Sequence, residues 1–323
     1  MVLTFIDHVD GTPNEASLQA LTLARGLAQQ LGTELHAIAI GSGADAIGSS
    51  IAPYGVSTVH HVADEQLEAY APEAWGSSIA QLASANGPEA VIGPGTERGQ
   101  EVLAHAAAEL DQPMAANCVE VTPGEPVHVV RHQWGSSLLE EARLKGDPPM
   151  LTVPPHALGA QAADAPGDAQ LATFEPAIEE RRLRVRVSDV ETTQTEGVSL
   201  KEAEVVVGGG RGVGSEDGFR ILEELANELG GAVGGSRVAT NNGWRPHDDQ
   251  IGLTGTKIAP QLYIAAGISG AVQHMVGCKG AKHVLAINTD DESTMVQKAD
   301  WAILGDLHEI VPAITEEVRK AKG

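Results

Sequence analysis

Two stretches of this sequence have residue types and spacing suited to holding an anionic ligand rather than to breaking a bond. The first is GGGRGVGS at 208–215, which follows Val205-Val206-Val207 and precedes a segment, 216–229, with Phe219, Leu222, Leu225, Ala226 and Leu229 on one helical face. Strand, glycine turn and helix together present free backbone N–H groups to an anion. Counted from Gly208 or Gly210 the sixth position is Val213 or Ser215, so the dinucleotide fingerprint fails, and no GxxxxGK[ST] occurs. Alone, the turn reads as readily structural as functional, with Arg211 within reach of a ligand phosphate and Ser215 a candidate helix cap. The second stretch runs from 234 to 274, GGSRVATNNGWRPHDDQIGLTGTKIAPQLYIAAGISGAVQH. It sets hydrogen-bonding heads among small residues that let a ligand approach the backbone. Leu262 to Ala266 predicts a strand, and Gly267-Ile268-Ser269-Gly270 then opens a helix carrying Gln273 and His274. A second helix N-terminus is thereby expected at the carboxyl ends of the strands, where open α/β sheets bind ligands.

Catalytic readings find less support. Gly267-Ile268-Ser269-Gly270 lacks the spacing of a nucleophile elbow, and the pairs Asp248-Asp249 and Asp290-Asp291 lie beside Gly, Pro or Asn as turn acids do. His60, His61, His105, His128 and His132 have no Glu or Cys at zinc spacing, so no metal is expected. Asn241-Asn242-Gly243 with Trp244 reads as a turn with an anchoring ring. A lone arginine such as Arg237 is as a rule a surface or ion-paired residue, and a lone histidine such as His274 beside Ala271 and Val272 a core one.

The elements that must position these residues are α/β throughout. Val2–Ile6, a helix over 16–31 and Leu35–Ile40 read as βαβ; Thr58–Val62, helix 74–85, strand Ala90–Gly93, helix 97–110 and a strand-rich stretch 114–132 continue the alternation. Residues 156–178, rich in Ala, Asp, Gly and Pro, predict a mobile loop, and Arg182 to Val187 a strand with one wet face whose arginines are solvated or paired. The polar run 188–200 is the expected domain boundary, giving an N-terminal α/β nucleotide-binding-like domain over 1–188, a linker over 189–200 and a second βα domain over 201–323. Strands at Glu204–Val207, 262–266, 283–287 and 301–304 make that second domain an open, mostly parallel sheet.

Length and charge bound the function. The 323 residues suit two domains, and 44 acidic against 21 basic residues give a formal charge of −23. Nucleic-acid binding needs clustered cations, and Arg181, Arg182, Arg184 and Arg186 form the only dense basic run, so that role is excluded. The carboxylate excess is spread along the chain, as in adaptation to high salt, where screening removes self-repulsion. Cys118 and Cys278 form no CxxC, and no secretory signal or long apolar run occurs, so a reducing cytoplasm is expected.

The segments VVVGGGRG (205–212), VGGSRVA (233–239), PHDDQIGLTGTKIAPQLYIAAGISGAVQH (246–274), AIN (286–288) and GDLHEIVP (305–312) resemble the alpha subunit of electron-transfer flavoproteins. The resemblance is close over roughly 203–318 and has its motifs in the family's order; the N-terminal half shares the βα layout and GPGTERGQEVLAHAAAEL (93–110). It implies a heterodimeric FAD carrier whose C-terminal domain holds most of the flavin. Carried over by motif, Arg211, Ser236 and Arg237 contact FAD, the Arg237 guanidinium beside the isoalloxazine, where fixed positive charge favours the reduced anion. Thr254 bonds the ring edge near N5, and His274 lies near O2, where the helix N-terminus adds positive potential. Gln250, Gly267, Ser269 and Gln273 complete the ribityl and phosphate contacts, and Asn288 and Asp306 bind the adenosine end. The chain reads IGLTG where the family usually reads VGQTG, so Leu253 replaces one polar side chain.

The implied task is electron transfer rather than catalysis on a substrate of its own. FAD accepts electrons from acyl-CoA dehydrogenases or similar flavoenzymes of fatty acid β-oxidation, and a membrane quinone oxidoreductase receives them. A beta subunit covers the flavin's exposed side and carries, in different versions of this scheme, AMP or a second FAD. The competing classes are a stand-alone flavin- or nicotinamide-dependent oxidoreductase, for which no acid, base or nucleophile is identified, and an adenine-nucleotide sensor built on the N-terminal domain.

Overall fold

The computed structural model describes residues 1–136, 138–189 and 198–322. Contacts divide the chain into two compact units, residues 1–191 and 192–323. Most of the expected linker, 190–197, lies outside the described residues. Among the described residues no helix is long and apolar enough to cross a membrane.

The first unit is built on a seven-stranded parallel sheet. Its strands are β1 (Val2–Ile6), β2 (Leu35–Ala39), β3 (Thr58–Val62), β4 (Ala90–Pro94), β5 (Met114–Ala115), and, after an antiparallel trio β6 (Cys118–Thr122), β7 (Val127–Gln133) and β8 (Leu138–Leu144), β9 (Met150–Val153) and β10 (Gln170–Phe174). The order is β10-β3-β2-β1-β4-β9-β5. β1 reads VLTFI and is buried at every position, as a central parallel strand covered on both faces requires. Helices α1 (Glu15–Leu31), α2 (Pro72–Asn86) and α3 (Glu97–Glu109) provide that cover. The start of α1 is fixed by Asn14, whose side chain accepts from the Ser17 N–H, and its end by Gly32 in the left-handed region at φ 66°.

Two expectations for this unit change, and one strand was not expected. The stretch predicted as a mobile loop contains β10, paired in parallel with β3, and is fastened further by Ala163 N–H to Pro53 O and Gly167 N–H to Ala52 O, each 2.8 Å. Arg182–Val187 is not a strand: Glu180–Leu183 is a short 3-10 turn, and Arg182 pairs with Glu109 at 2.9 Å and Glu73 at 3.6 Å. Arg182 thus serves carboxylates on two helices, while Arg181 pairs with Glu179 of its own segment at 2.6 Å. β8, LLEEARL, escapes sequence reading because nearly all of it is exposed, leaving no apolar alternation to find.

The second unit is a five-stranded parallel sheet of β11 (Val205–Gly209), β12 (Ala232–Gly235), β13 (Leu262–Ala266), β14 (His283–Asn288) and β15 (Trp301–Leu304), in the order β12-β11-β13-β14-β15. Helices α4 (Arg220–Leu229), α5 (Arg237–Asn241), α6 (Val272–Cys278), α7 (Thr294–Lys298) and α8 (Leu307–Lys322) follow the strands in turn. Val207, Phe219, Leu222, Leu225 and Val311 pack on one face of the sheet and Val206, Tyr263, Ile251 and Met295 on the other. The helix expected from 216 begins as a 3-10 turn, Asp217–Phe219, which Ser215 caps by accepting from the Gly218 N–H at 3.2 Å. The chain leaves β11 for β12 on one side and returns for β13 on the other. That reversal is the place where doubly wound sheets open a crevice at their carboxyl edge.

Candidate flavin site

A cavity of about 470 Å³ opens at this reversal. Arg211 and Gly212 from the turn after β11, Ser236 to Val238 and Asn241 from the segment after β12, Gly267 to Ala271 after β13, Asn288 at the end of β14 and Asp290 just beyond it all line it. Gln250 to Thr254 close one side, and Gln273 and His274 of α6 another. The fold brings ten of the eleven sequence-selected residues to one cavity: Arg211, Ser236, Arg237, Gln250, Thr254, Gly267, Ser269, Gln273, His274 and Asn288.

Asp306 is the exception. It is exposed and does not line the cavity; its Oδ1 accepts from the His308 N–H at 2.9 Å, the bond of a helix-capping aspartate at the start of α8. Asp290 is the carboxylate that does line the cavity, two residues beyond Asn288 at the tip of β14, and sequence reading had set it aside as a turn acid. It plays that part as well, since its Oδ1 accepts from the Glu292 N–H at 3.0 Å. Its place after the carboxyl end of a strand was the available signal.

Glycines bring the two ligand turns together. Gly210 N–H donates to Ala266 O at 2.9 Å and Gly212 N–H to Gly267 O at 3.1 Å. A Cβ on Gly210 would stand 2.2 Å from Gly267 O, and one on Gly267, which has φ +63°, would stand 2.7 Å from Gly212 Cα. Only hydrogen side chains permit this approach, which leaves the cavity floor as bare backbone.

The polar groups of the walls are of two kinds. One kind is held by the chain. Gln250 is 2% exposed, its Oε1 accepting from Thr240 Oγ1 at 2.9 Å and its Nε2 donating to Thr254 Oγ1 at 3.1 Å, so its amide orients Thr254 instead of projecting freely. Asn288 Nδ2 donates to Ile268 O at 3.0 Å and fixes the turn after β13. Outside the cavity, Arg245 bridges Asp249 at 2.7 Å and Glu223, tying the loop after α5 to α4. Burial lifts the Asp249 pKa even against that guanidinium.

The other kind has no partner. Ser236 Oγ is buried and makes no hydrogen bond among the described residues, and His274 Nδ1 is buried with no well-formed bond, the Ile251 backbone being the group that acts on the ring and opposes the fall in its pKa. Ser236 stands at the N-cap of α5 yet makes no side-chain cap bond. A buried polar atom left unpaired costs about 1–3 kcal/mol; four others, on Thr4, His8, His61 and Arg98, lie in the first unit, and these two are the ones on residues that line the cavity. Arg211 and Arg237 are exposed and have neither an ion pair nor a side-chain hydrogen bond among the described residues. Two guanidiniums against the single carboxylate of Asp290 give this lining the opposite sign to a chain of charge −23.

His274 is 6% exposed and its Nε2 lies 2.8 Å from the hydroxyl of Tyr263, a fully buried residue. Burial pulls its pKa down to about 4, so near neutral pH it offers a hydrogen bond and no charge. Burial likewise holds the Tyr263 phenol well above its ordinary value and the Cys278 thiol up at about 12. Leu253, at the position where the family usually has glutamine, is 46% exposed on the cavity rim and contributes an apolar surface.

The donor set fits a large, anionic, acceptor-rich ligand: two free guanidiniums, an unpaired hydroxyl and an imidazole nitrogen, around a floor kept open by glycines. Residues 199–279 match the family model for the electron transfer flavoprotein FAD-binding domain, and residues 2–179 that for the electron transfer flavoprotein domain. Over 324 residues the chain is 34% identical to the electron transfer flavoprotein subunit alpha of Mycobacterium leprae, covering 99% of each chain. It is 31% identical to the subunit of the same name from Thermoanaerobacterium thermosaccharolyticum, covering 98% of this chain and 97% of that one. Protein FixB of Clostridium saccharobutylicum is 32% identical, with 99% and 96% covered. The match to the FAD-binding model takes in every selected residue up to His274; Asn288, Asp290 and Asp306 fall beyond it.

Proposed function

We propose, since this chain belongs to the electron transfer flavoprotein alpha-subunit family, that it is the FAD-holding half of a heterodimer that collects electrons from flavin dehydrogenases and delivers them to a membrane quinone oxidoreductase. The bound flavin supplies the redox chemistry, taking up and releasing electrons. The chain's own residues bind it, orient it and set the potential around it. The observation that supports this reading is the pair of buried, unpaired polar atoms, Ser236 Oγ and His274 Nδ1, on a cavity that also holds two uncommitted guanidiniums.

Each group has a distinct task. Ser236 takes phosphate and ribityl oxygens, with Arg211 countering their charge, in the space that the close-packed Gly212 and Gly267 leave open. Ser269 and Gln273 extend that contact, and Asn288 lies toward the adenosine end. Arg237 places a fixed positive charge where electrons arrive, which favours the reduced cofactor, and the effect is larger in the partly enclosed cavity than in water. Thr254 and His274 supply neutral hydrogen bonds to the ring edge. The cavity is open to solvent on one side, and a beta subunit covers it, carrying AMP or a second FAD of its own. Acyl-CoA dehydrogenases are the electron donors this scheme assigns. The unpaired, buried thiols of Cys118 and Cys278 suit a reducing cytoplasm.

The test is purification of the complex from its own cell, followed by an absorption spectrum and cofactor analysis. One FAD per copy of this chain, with a copurifying second subunit, is expected. A colourless protein that takes up no FAD would overturn the assignment, and turnover of a small substrate without a protein acceptor would replace carrier with enzyme.

A further inference from the structure

Tyr263 lies beneath the cavity, not in its wall. It is fully buried on β13, its ring stacked at 6.1 Å on that of His274, and its hydroxyl is 2.8 Å from His274 Nε2. Resting on the flavin-site reading above, we propose that Tyr263 is a positioning residue. Its O–H donates to Nε2, which confines the imidazole proton to Nδ1, so that His274 presents the cavity with a neutral N–H donor of fixed direction.

Counting hydrogen bonds decides between the two possible polarities. If the imidazole donated from Nε2, the tyrosine proton would need an acceptor in an enclosed site, and its oxygen has no other partner among the described residues. Nδ1 would then be an unprotonated acceptor with no donor either, leaving two buried groups unsatisfied. With tyrosine as donor, Nε2 and the phenol satisfy each other and only Nδ1–H remains. His274 lines the cavity, so a ligand acceptor competes for that N–H with the Ile251 carbonyl, whose backbone hydrogen bond opposes the fall in the imidazole's pKa. The phenol can hold this polarity because burial keeps it protonated. The reading assigns the ligand atom facing His274 as a hydrogen-bond acceptor, such as a ring carbonyl oxygen or an anionic ring nitrogen.

Space enforces the geometry. A Cβ on Gly208 of β11 would stand 2.4 Å from the Tyr263 oxygen, so the neighbouring strand carries glycine where the hydroxyl passes. Any larger residue there would push the hydroxyl off Nε2.

The test is nitrogen-15 NMR of the purified complex with labelled histidine, in the native protein and in Tyr263→Phe. The native His274 ring should show a proton on Nδ1 and a bare, hydrogen-bonded Nε2. Tyr263→Phe retains the ring but should release the lock, giving a population with the proton on Nε2 and a roughly three- to tenfold weaker hold on FAD. A native ring protonated on Nε2, or ring shifts unchanged in Tyr263→Phe, would overturn the proposal. Should the variant fail to fold, the native spectrum alone decides. A complex with no flavin but with the proton on Nδ1 would refute the ligand reading and leave the tautomer assignment standing.

Discussion

Acid should weaken the C-terminal unit through His274 before it exhausts the other buried groups. The imidazole has a pKa of about 4 in the folded protein against 6.5 when unperturbed, and burial is the chief cause. Between those values the unfolded chain binds a proton that the folded one refuses, so stability is complete above pH 6.5 and declines as pH falls toward 4. A separation of about 2.5 pH units at 1.36 kcal/mol per unit corresponds to about 3 kcal/mol, against a typical domain stability of about 5–15 kcal/mol. The titratable group packed on the ring, Tyr263, stays neutral, as does Cys278, which interacts with Tyr263, so neither offsets the loss. The assay is urea unfolding at pH 7, 5.5 and 4.5 for the native protein and His274→Gln, with flavin content matched. Surface carboxylates titrate alike in both, so the difference between the two profiles isolates the histidine. The loss from pH 7 to 4.5 should be smaller by about 2.5 kcal/mol in the variant. Parallel profiles would mean that the imidazole is solvated or already charged in the fold, and the neutral-donor account of His274 would fail with it.

Other perturbations probe the floor, the charge and the surface. Arg237→Ala should lower the flavin's reduction potential by roughly tens of millivolts, one-electron shifts of 59 mV corresponding to tenfold in equilibrium; an unaltered redox titration would remove Arg237 from the ring. Gly267→Ala sets a Cβ at 2.7 Å from Gly212 Cα and 2.8 Å from Leu307 Cδ2 in a left-handed backbone, so it should cost about 2–4 kcal/mol in urea unfolding and release FAD. Full stability in that variant would show that the two turns are not pressed together. With a formal charge of −23, thermal unfolding should shift to higher temperature as potassium chloride rises from low to molar concentration, and a flat response would refute salt adaptation.

What could be read from the sequence, and what could not, follows from where each signal is stored. VVVGG and LYIAA are buried on both faces, and such strands carry continuous apolar runs ended by glycine, so the crevice between β11 and β13 was visible from composition alone. Ten selected residues reach the cavity because they sit just past strand ends or in the two segments that fold over them. Asp306 and Asp290 show the limit. Both follow a strand tip closely, and whether such a carboxylate caps a helix or faces a ligand depends on the turn's path, which local sequence does not encode. Tyr263 was hidden for a different reason: an apolar strand position reads as core, and its hydroxyl gains a role only once α6 brings His274 over it. Arg182 misled because alternation is shared by a wet strand and by a chain laid across two helices whose acids, Glu73 and Glu109, lie far away in sequence.

The reversed sign of the cavity has a consequence for how the ligand is held. Over the whole chain carboxylates outnumber cations by about two to one, a net charge that repels a pyrophosphate at a distance. In molar salt the screening length is about 3 Å, so neither that repulsion nor the attraction of Arg211 and Arg237 extends beyond contact. Binding then rests on groups that act at hydrogen-bond range, such as Ser236 Oγ and the His274 imidazole, set around the space that the packed glycines leave open. Those groups are fixed before the ligand arrives, by glycine packing and by the buried tyrosine, so little ordering is spent on binding. At low salt the balance differs, because the long-range repulsion returns at full strength while contact hydrogen bonds do not change.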